Sequence, residues 1–194
     1  MIFAAGLGTR LKPLTDTMPK ALVEVAGKPL LEHVVLRLRD AGMELIVINV
    51  HHFAEQIVAF LARNNNLGMD IRISDETRCL LDTGGGIKKA APMFDTSSPI
   101  LIHNVDILSN VDLAKLYEEG RANAATLLVS WRDTTRYLLF DRDNKRRLSG
   151  WTNISTGEIR SPYNDIDVAE YDKYAFSGIH VFSPTLFPLF SQMP

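Results

Sequence analysis

Apolar and polar positions follow two patterns in the first 121 residues of the chain. Short apolar runs are typical of strands covered on both faces, and they predict strands at 1–5, 45–50, 69–73 and 100–103. Apolar residues spaced three or four apart are typical of helices with one buried face, and they predict helices at 29–42, 53–62, 86–91 and 111–119. Strands that alternate with helices indicate an α/β fold with a parallel sheet and crossover helices.

After residue 121 the pattern becomes richer in strands. Extended segments are predicted at 125–131, 137–140 and 174–182, with a turn at 141–145. We interpret residues 1–194 as one domain, with an α/β half at 1–121 and a strand-rich half at 122–194 that is incomplete at its C-terminus.

Composition excludes several classes of protein. The 21 basic and 23 acidic side chains nearly cancel, so no electrostatic footprint for a nucleic-acid partner is visible. The single cysteine, Cys79, excludes an internal disulfide and fits a reducing compartment. No leader pattern and no apolar run of membrane-spanning length is present, which predicts a soluble, cytoplasmic protein without a membrane partner. The oligomeric state has no sequence signal.

The first strand runs into a glycine loop, IFAAGLGTR at 2–10. In parallel sheets, ligands bind at the carboxyl ends of strands, so this position suits a phosphate site. The dinucleotide fingerprint needs a third glycine where Leu11 stands, which disfavours a dehydrogenase, and the Gly-Lys-Ser/Thr of phosphate loops is absent. The glycines alone are explained equally well by a tight turn. Arg10 and Lys20 add two cations suited to phosphate oxygens.

The stretch GLGTRLKPLTDTMPKALVEVAGKPLLEH, at 6–33, closely resembles the signature of sugar-1-phosphate nucleotidyltransferases. The resemblance implies a three-layer α/β/α sandwich of glycosyltransferase-A type, Rossmann-like, with a mixed, mainly parallel sheet. It implies a Mg²⁺-dependent reaction in which a sugar 1-phosphate attacks the α-phosphate of a nucleoside triphosphate and releases pyrophosphate. Residues 1–121 would then be the nucleotide-binding half and 122–194 the sugar-binding half.

The same resemblance assigns roles within the first loop. Backbone groups would hold the base and the phosphates, and they belong to Ala4, Ala5, Gly6 and Gly8. Arg10 would bind the β- and γ-phosphates that leave as pyrophosphate, and Lys20 would lie against the α-phosphate. These two are the predicted catalytic residues.

A second segment, LDTGGG at 81–86, resembles the Glu-Thr-Gly-Gly-Gly of N-acetylmuramate-1-phosphate uridylyltransferases, with Asp82 in place of the glutamate. Mannose-1-phosphate guanylyltransferase-like members are also similar. In this family the segment packs against the nucleobase, which assigns nucleotide binding to Thr83, Gly84 and Gly85. Taken alone, three glycines before a helix are more commonly a flexible connection.

Asp106 follows the strand at 100–103 and matches the family's magnesium-binding aspartate, with Val105 where relatives have glycine. Taken alone, such a carboxylate can simply start a turn. Relatives use a second aspartate near the end of the domain, so we expect the native chain to continue past Pro194 and supply it. Ser177 and Gly178 resemble the family's strand lining the sugar.

These features favour uridylyl or guanylyl transfer to a sugar phosphate for cell-wall or surface-glycan precursors. Two alternatives stay open. One is a cytidylyltransferase acting on a non-sugar phosphate such as phosphocholine. The other is a non-catalytic regulatory protein that binds nucleotide sugars, although retention of Arg10, Lys20 and Asp106 together argues against it.

Overall fold

The computed structural model describes residues 1–143 and 147–190. The elements of the first part of the chain, in order, are β1 (Ile2–Phe3), β2 (Glu24–Val25), β3 (Lys28–Pro29), α1 (Leu30–Asp40), β4 (Leu45–Val50), α2 (Ala54–Arg63), β5 (Asp70–Asp75), α3 (Asp82–Ala90), β6 (Ile100–Asn104) and α4 (Leu113–Gly120). The later elements are β7 (Ala125–Ser130), β8 (Arg136–Asp141), β9 (Leu148–Asn153), β10 (Glu158–Arg160), β11 (Tyr171–Phe182) and α5 (Phe187–Phe190).

Contacts divide the chain into two compact units. The first contains Met1–Thr126 and the described residues from His180 onward, and the second contains the described residues of Leu127–Ile179. Strands β7 and β11 each run through a boundary between the units.

The first unit contains a parallel sheet in the order β6-β1-β4-β5. The two-residue strand β1 is central, and its Phe3 pairs with Asn49 on one side and Asn104 on the other. Strand β4 pairs with β5 along its full length, from Leu45 opposite Asp70 to Val50 opposite Asp75. The registers align the carboxyl ends of β1, β4 and β6 at one edge of the sheet.

Apolar burial explains why the first unit folds this way. Helix α1 buries the stripe expected from its spacing, namely Leu30, Leu31, Val34, Val35 and Leu38. A core cluster joins strands to helix α3, and its buried members are Met1, Val47, Ile87, Ala90, Ile100, Ile102 and Phe182. Burial of each large aliphatic side chain contributes roughly 1.5–3 kcal/mol before chain entropy is counted.

The second unit is built from antiparallel strands. Strand β8 pairs with β9 and with the first residues of β11, and β10 pairs with β9. Its buried apolar residues include Leu139, Ala175 and Ile179. The change from parallel to antiparallel pairing matches the change of pattern after residue 121.

Most predicted elements are confirmed, with shifts of a few residues at their ends. The prediction for α3 is wrong at its start, because the helix begins at Asp82 rather than Gly86. Strands β2, β3, β9 and β10 have no counterpart with stated bounds in the prediction. The predicted turn at 141–145 falls partly on 144–146, which lie outside the described residues. Within the described ranges, no helix combines the length and the apolarity needed to cross a membrane.

Candidate active site

The predicted nucleotide-site residues gather at one edge of the parallel sheet. Ala4 follows β1 directly, and Asp106 lies two residues after β6. The amide of Val105 donates to Phe3 O at 3.1 Å, so the residues after β6 stay beside those after β1. Ligands of parallel α/β sheets bind in the crevice at this edge.

The glycine loop after β1 is ordered by specific contacts. The Ala4 amide donates to Asn49 Oδ1 at 2.8 Å, so any contact from Ala4 to a ligand would use its carbonyl group. Gly8 has φ +66°, and a Cβ there would lie 2.8 Å from Thr15 Cγ2. The buried Thr15 hydroxyl donates to Gly8 O at 2.9 Å. Gly6 is different, since a Cβ there would meet open space. Gly8 is therefore required by the fold of the loop, and Gly6 is not.

Lys20 and Asp106 are brought into direct contact. Lys20 starts a 3-10 turn after Pro19, and its Nζ donates to Asp106 Oδ2. The Lys20 side chain is 17% exposed and that of Asp106 is 30% exposed, so the pair opens to solvent at the sheet edge. The predicted catalytic lysine and the predicted metal ligand are thus adjacent in the folded chain.

Arg10 lies on the same loop but is exposed, in the 3-10 turn Thr9–Leu11. Within the part of the chain that the structure describes, its guanidinium has no hydrogen-bond or ion-pair partner. A planar cation without a protein partner is suited to bind an incoming phosphate group.

The triple glycine forms the first turns of α3. Helix α3 begins at Asp82, which has φ +54°, and the residue before it, Leu81, gives no side-chain cap. The first amides of a helix lack partners within the helix, and they favour anionic ligands. A Cβ on Gly85 would lie 2.9 Å from Leu81 Cβ. The predicted residues Thr83, Gly84 and Gly85 therefore lie at a helix N-terminus rather than in a flexible connection.

Two buried polar residues beside this site were missed by the sequence predictions. Asn49 is 2% exposed and Glu76 is 1% exposed, and Asn49 Nδ2 donates to Glu76 Oε1 at 2.9 Å. The amide of Leu81 donates to Glu76 Oε2 at 3.2 Å, which fixes the start of α3. One signal was available in the sequence, because Asn49 is the only polar residue in the run LIVINV.

The loop after Asp106 is anchored to α1. Arg37 Nη1 donates to Ser109 Oγ at 3.1 Å, and Nη2 donates to Val111 O at 2.5 Å. Nearby, burial lowers the pKa of His103 to about 4, and its Nδ1 donates to Asn104 O at 2.7 Å. His103 is therefore neutral at physiological pH and adds no charge beside Asp106.

The two predicted sugar-binding residues lie in the second unit. Ser177 Oγ donates to Ser130 Oγ at 3.2 Å, and Gly178 has φ +77°, a conformation that favours glycine within β11. Among the described residues, no three His, Cys, Asp or Glu side chains form a metal-binding group. Asp106 remains a single carboxylate candidate.

Comparison with known proteins identifies the family to which the chain belongs. The model of the family described as nucleotidyl transferase matches residues 1–152. The N-acetylmuramate alpha-1-phosphate uridylyltransferase of Caulobacter vibrioides (strain ATCC 19089 / CIP 103742 / CB 15) is 36% identical over 195 residues, covering 96% of this chain and 75% of that protein. The protein of the same name from Neisseria meningitidis serogroup B (strain ATCC BAA-335 / MC58) is 42% identical over 118 residues, covering 61% of this chain and about half, 51%, of its own length.

A solved structure supports the fold. The crystal structure of HddC from Yersinia pseudotuberculosis, complexed with GMP-PN, superposes with a TM-score of 0.74 at 23% identity, covering 96% of this chain and 76% of that one. The predicted α/β fold with a mixed, mainly parallel sheet is confirmed. The family match and the curated relatives together lead to one conclusion: the chain belongs to the nucleotidyl transferase family and, within it, to the sugar-1-phosphate nucleotidyltransferases.

Proposed function

We propose that this protein transfers a uridylyl group from UTP to N-acetylmuramate α-1-phosphate, giving the UDP-sugar and pyrophosphate. The observation that carries the proposal is the contact of Lys20 with Asp106 beside the glycine loop. The names of the two relatives and the DTGGG segment at 82–86 support the choice of base and sugar.

The reaction needs little covalent chemistry from the protein. A phosphate oxygen of the sugar 1-phosphate attacks the α-phosphorus, forming the new phosphorus–oxygen bond while the bond to the β-phosphate breaks. The electron pair leaves with pyrophosphate. The protein's task is to position two anions and to stabilise the charge that develops between them.

Lys20 is assigned to the α-phosphate. Without substrate its ammonium is neutralised by Asp106. A triphosphate bound across residues 4–8 would compete with Asp106 for this cation and place negative charge beside it. The ammonium would then stabilise the crowded transition state more than the ground state, which is what accelerates a reaction.

Arg10 and the start of α3 are assigned to the rest of the nucleotide. The exposed guanidinium of Arg10 would bind the leaving β- and γ-phosphates. Residues 83–85, at the start of α3, would lie against the base. Ser177 and Gly178 are proposed sugar contacts.

Asp106 fits a magnesium site of the kind that nucleotide enzymes use. Mg²⁺ binds one or two carboxylates and completes its shell with substrate phosphates and water. Asp106 has a second carboxylate oxygen besides the one that accepts from Lys20, and it is partly exposed. When bound, the metal would neutralise triphosphate charge.

A panel that measures pyrophosphate release tests the proposal. Each of UTP, GTP, CTP, dTTP and ATP is combined with N-acetylmuramate, mannose or glucose 1-phosphate, or with phosphocholine. We expect UTP with N-acetylmuramate α-1-phosphate to give the highest kcat/KM. Turnover only with CTP and phosphocholine would identify the cytidylyltransferase instead. Nucleotide-sugar binding without release in any combination would identify a regulatory protein.

A further inference from the structure

A buried polar bridge connects the two segments that form the proposed nucleotide site. Asn49 Oδ1 accepts from the amide of Ala4 at 2.8 Å, at the start of the glycine loop. Asn49 Nδ2 donates to Glu76 Oε1 at 2.9 Å, and Glu76 Oε2 accepts from the amide of Leu81 at 3.2 Å, one residue before α3. The three bonds form a continuous path from residue 4 to α3.

The bridge is enclosed on every side that the structure describes. Asn49 is 2% exposed and Glu76 is 1% exposed. A Cβ on Gly86 would lie 2.9 Å from Glu76 Oε1 and 3.2 Å from Asn49 Nδ2, so α3 packs directly against the pair. The third glycine of the LDTGGG segment is therefore explained by this contact.

Glu76 is itself fixed by its backbone. Its amide donates to Val50 O at 2.7 Å, and its carbonyl accepts from Cys79 N at 3.0 Å and pairs with His51 Nδ1 at 2.6 Å. The backbone of Glu76 is thus held directly after β5 by contacts independent of the bridge. A side chain can position other groups only if its own backbone is held rigidly.

A bridge of this kind is a costly way to stabilise a fold. Removing a carboxylate from water costs several kcal/mol, and an apolar pair of similar volume is often as stable or more stable. The bridge ends on two backbone amides, and both belong to segments proposed to hold the nucleotide.

We propose that Asn49 and Glu76 are positioning residues of the nucleotide site, which set the separation of the glycine loop and the N-terminus of α3. This inference rests on the proposed function, because it assigns the bridge to triphosphate binding. Neither side chain touches the substrate. Their effect passes through the Ala4 backbone on one side and Leu81 on the other.

Two single substitutions and their combination test the pattern of donors and acceptors. Glu76→Gln replaces an acceptor oxygen with an amide, so one of its two bonds is lost. Asn49→Asp places two carboxylates side by side. In the double variant Asn49→Asp/Glu76→Gln, the new carboxylate accepts from Ala4 N and from the new side-chain amide, whose oxygen accepts from Leu81 N. All three bonds are restored with the charge moved to the neighbouring residue.

We expect each single variant to raise the KM for UTP at least about tenfold, with the KM for the sugar 1-phosphate unchanged. The double variant should return to within about threefold of the parent, since the bonds that set the geometry are restored. Glu55→Gln, an exposed change on α2, is the control and should leave both KM values unaltered. Single variants that lose stability but keep the parent KM for UTP in their folded fraction would overturn the proposal, as would a double variant that remains impaired.

Two further measurements separate this inference from the proposed function. Equilibrium dialysis with UTP reports nucleotide affinity without turnover. Hydrogen exchange of the Ala4 and Leu81 amides reports the bridge without any ligand. In one outcome, the parent releases no pyrophosphate while UTP binding still weakens in the two single variants and recovers in the double variant. In that case the proposed function fails and the inference stands. If the single variants lose hydrogen-exchange protection at the Ala4 and Leu81 amides but bind UTP as tightly as the parent, the inference fails whatever the enzyme's activity.

Discussion

Lys20 Nζ and Asp106 Oδ2 form an ion pair between residues 86 positions apart in the sequence. Each partner is predicted to bind a different ligand, the lysine a phosphate and the aspartate a metal ion. The pair orients both groups before either ligand arrives. Substrate binding would then exchange one set of charge contacts for another without exposing an uncompensated charge.

Lys20→Met should reduce kcat by roughly 10²–10³, because it removes one preorganised cationic contact to the transition state. The melting temperature should change little, since the lysine is partly exposed and its pair with Asp106 is open to solvent. Lys12→Met is the matched control: Lys12 lies in the same loop, is 61% exposed and pairs only with nearby Asp16 among the described residues. Equal losses in the two variants would remove Lys20 from the mechanism.

Asp106→Asn should raise the Mg²⁺ concentration needed for half-maximal activity by about tenfold or more, because the carboxylate charge that attracts the cation is lost. Removal of divalent ions with EDTA should abolish turnover of the parent, and added Mg²⁺ should restore it. Asp40→Asn, at an exposed position on α1, should leave the Mg²⁺ titration unchanged. A normal Mg²⁺ requirement in Asp106→Asn would show that the metal is held elsewhere.

Gly8→Ala should lower the stability of the protein, whereas Gly6→Ala should affect UTP binding and not stability. Alanine at Gly8 must adopt φ near +66° and meets Thr15 Cγ2, so unfolding free energy should fall by about 1–2 kcal/mol or more. Alanine at Gly6 meets open space and should leave stability within about 0.5 kcal/mol of the parent. If the loop carries the triphosphate, Gly6→Ala should instead raise the KM for UTP. Urea unfolding and steady-state kinetics on both variants decide between these outcomes.

Stability should decline as pH falls from about 6.5 to about 4, in part because of His103. Burial lowers the pKa of this residue from 6.5 to about 4. Between those values the unfolded chain binds a proton that the folded protein does not, so this contribution is fully present above pH 6.5 and lost by pH 4. The loss is at most roughly 3–4 kcal/mol.

The measurement is urea unfolding at several pH values for the parent and for His103→Leu. The leucine variant should show a shallower decline, and His52→Leu, at an exposed position, should behave like the parent. His180 should contribute a similar decline of its own, because burial lowers its pKa to about 4 as well. A parent and a His103→Leu variant with parallel pH curves would contradict the assignment.

The elements of the first unit were predictable because their signals are local. Strand β4 has six consecutive residues without a charge, and α1 has a continuous buried stripe, so both were located within a residue or two. Strand β10 is exposed along its three residues, and exposed strands lack the apolar pattern that sequence methods detect. The start of α3 was missed for another reason. Three glycines disfavour a helix locally, and packing against Glu76 and Asn49 outweighs that preference.

The residues of the candidate site also fall into two groups, those that the sequence predicts and those that only the structure reveals. Arg10 and Lys20 were predicted because the long motif at 6–33 contains them, and Asp106 because it follows a buried strand where the family has its metal-binding aspartate. The contact between Lys20 and Asp106 depends on the strand order, which no local pattern encodes. Asn49 and Glu76 have no motif, and only their burial beside the backbone of Ala4 and Leu81 reveals their position.

The two-residue strand β1 also constrains the order of events during synthesis. Phe3 has its partners at Asn49 and Asn104, so the centre of the parallel sheet is completed only after β6 has been made. Pairings between residues so far apart form slowly, because a long loop must close before any contact compensates for the lost entropy. The glycine loop therefore leaves the ribosome about a hundred residues before β6 and Asp106, although its contacts with Thr15 and Asn49 can form earlier. Until then its apolar entry, Ile2 to Ala5, is a segment on which a chaperone can act.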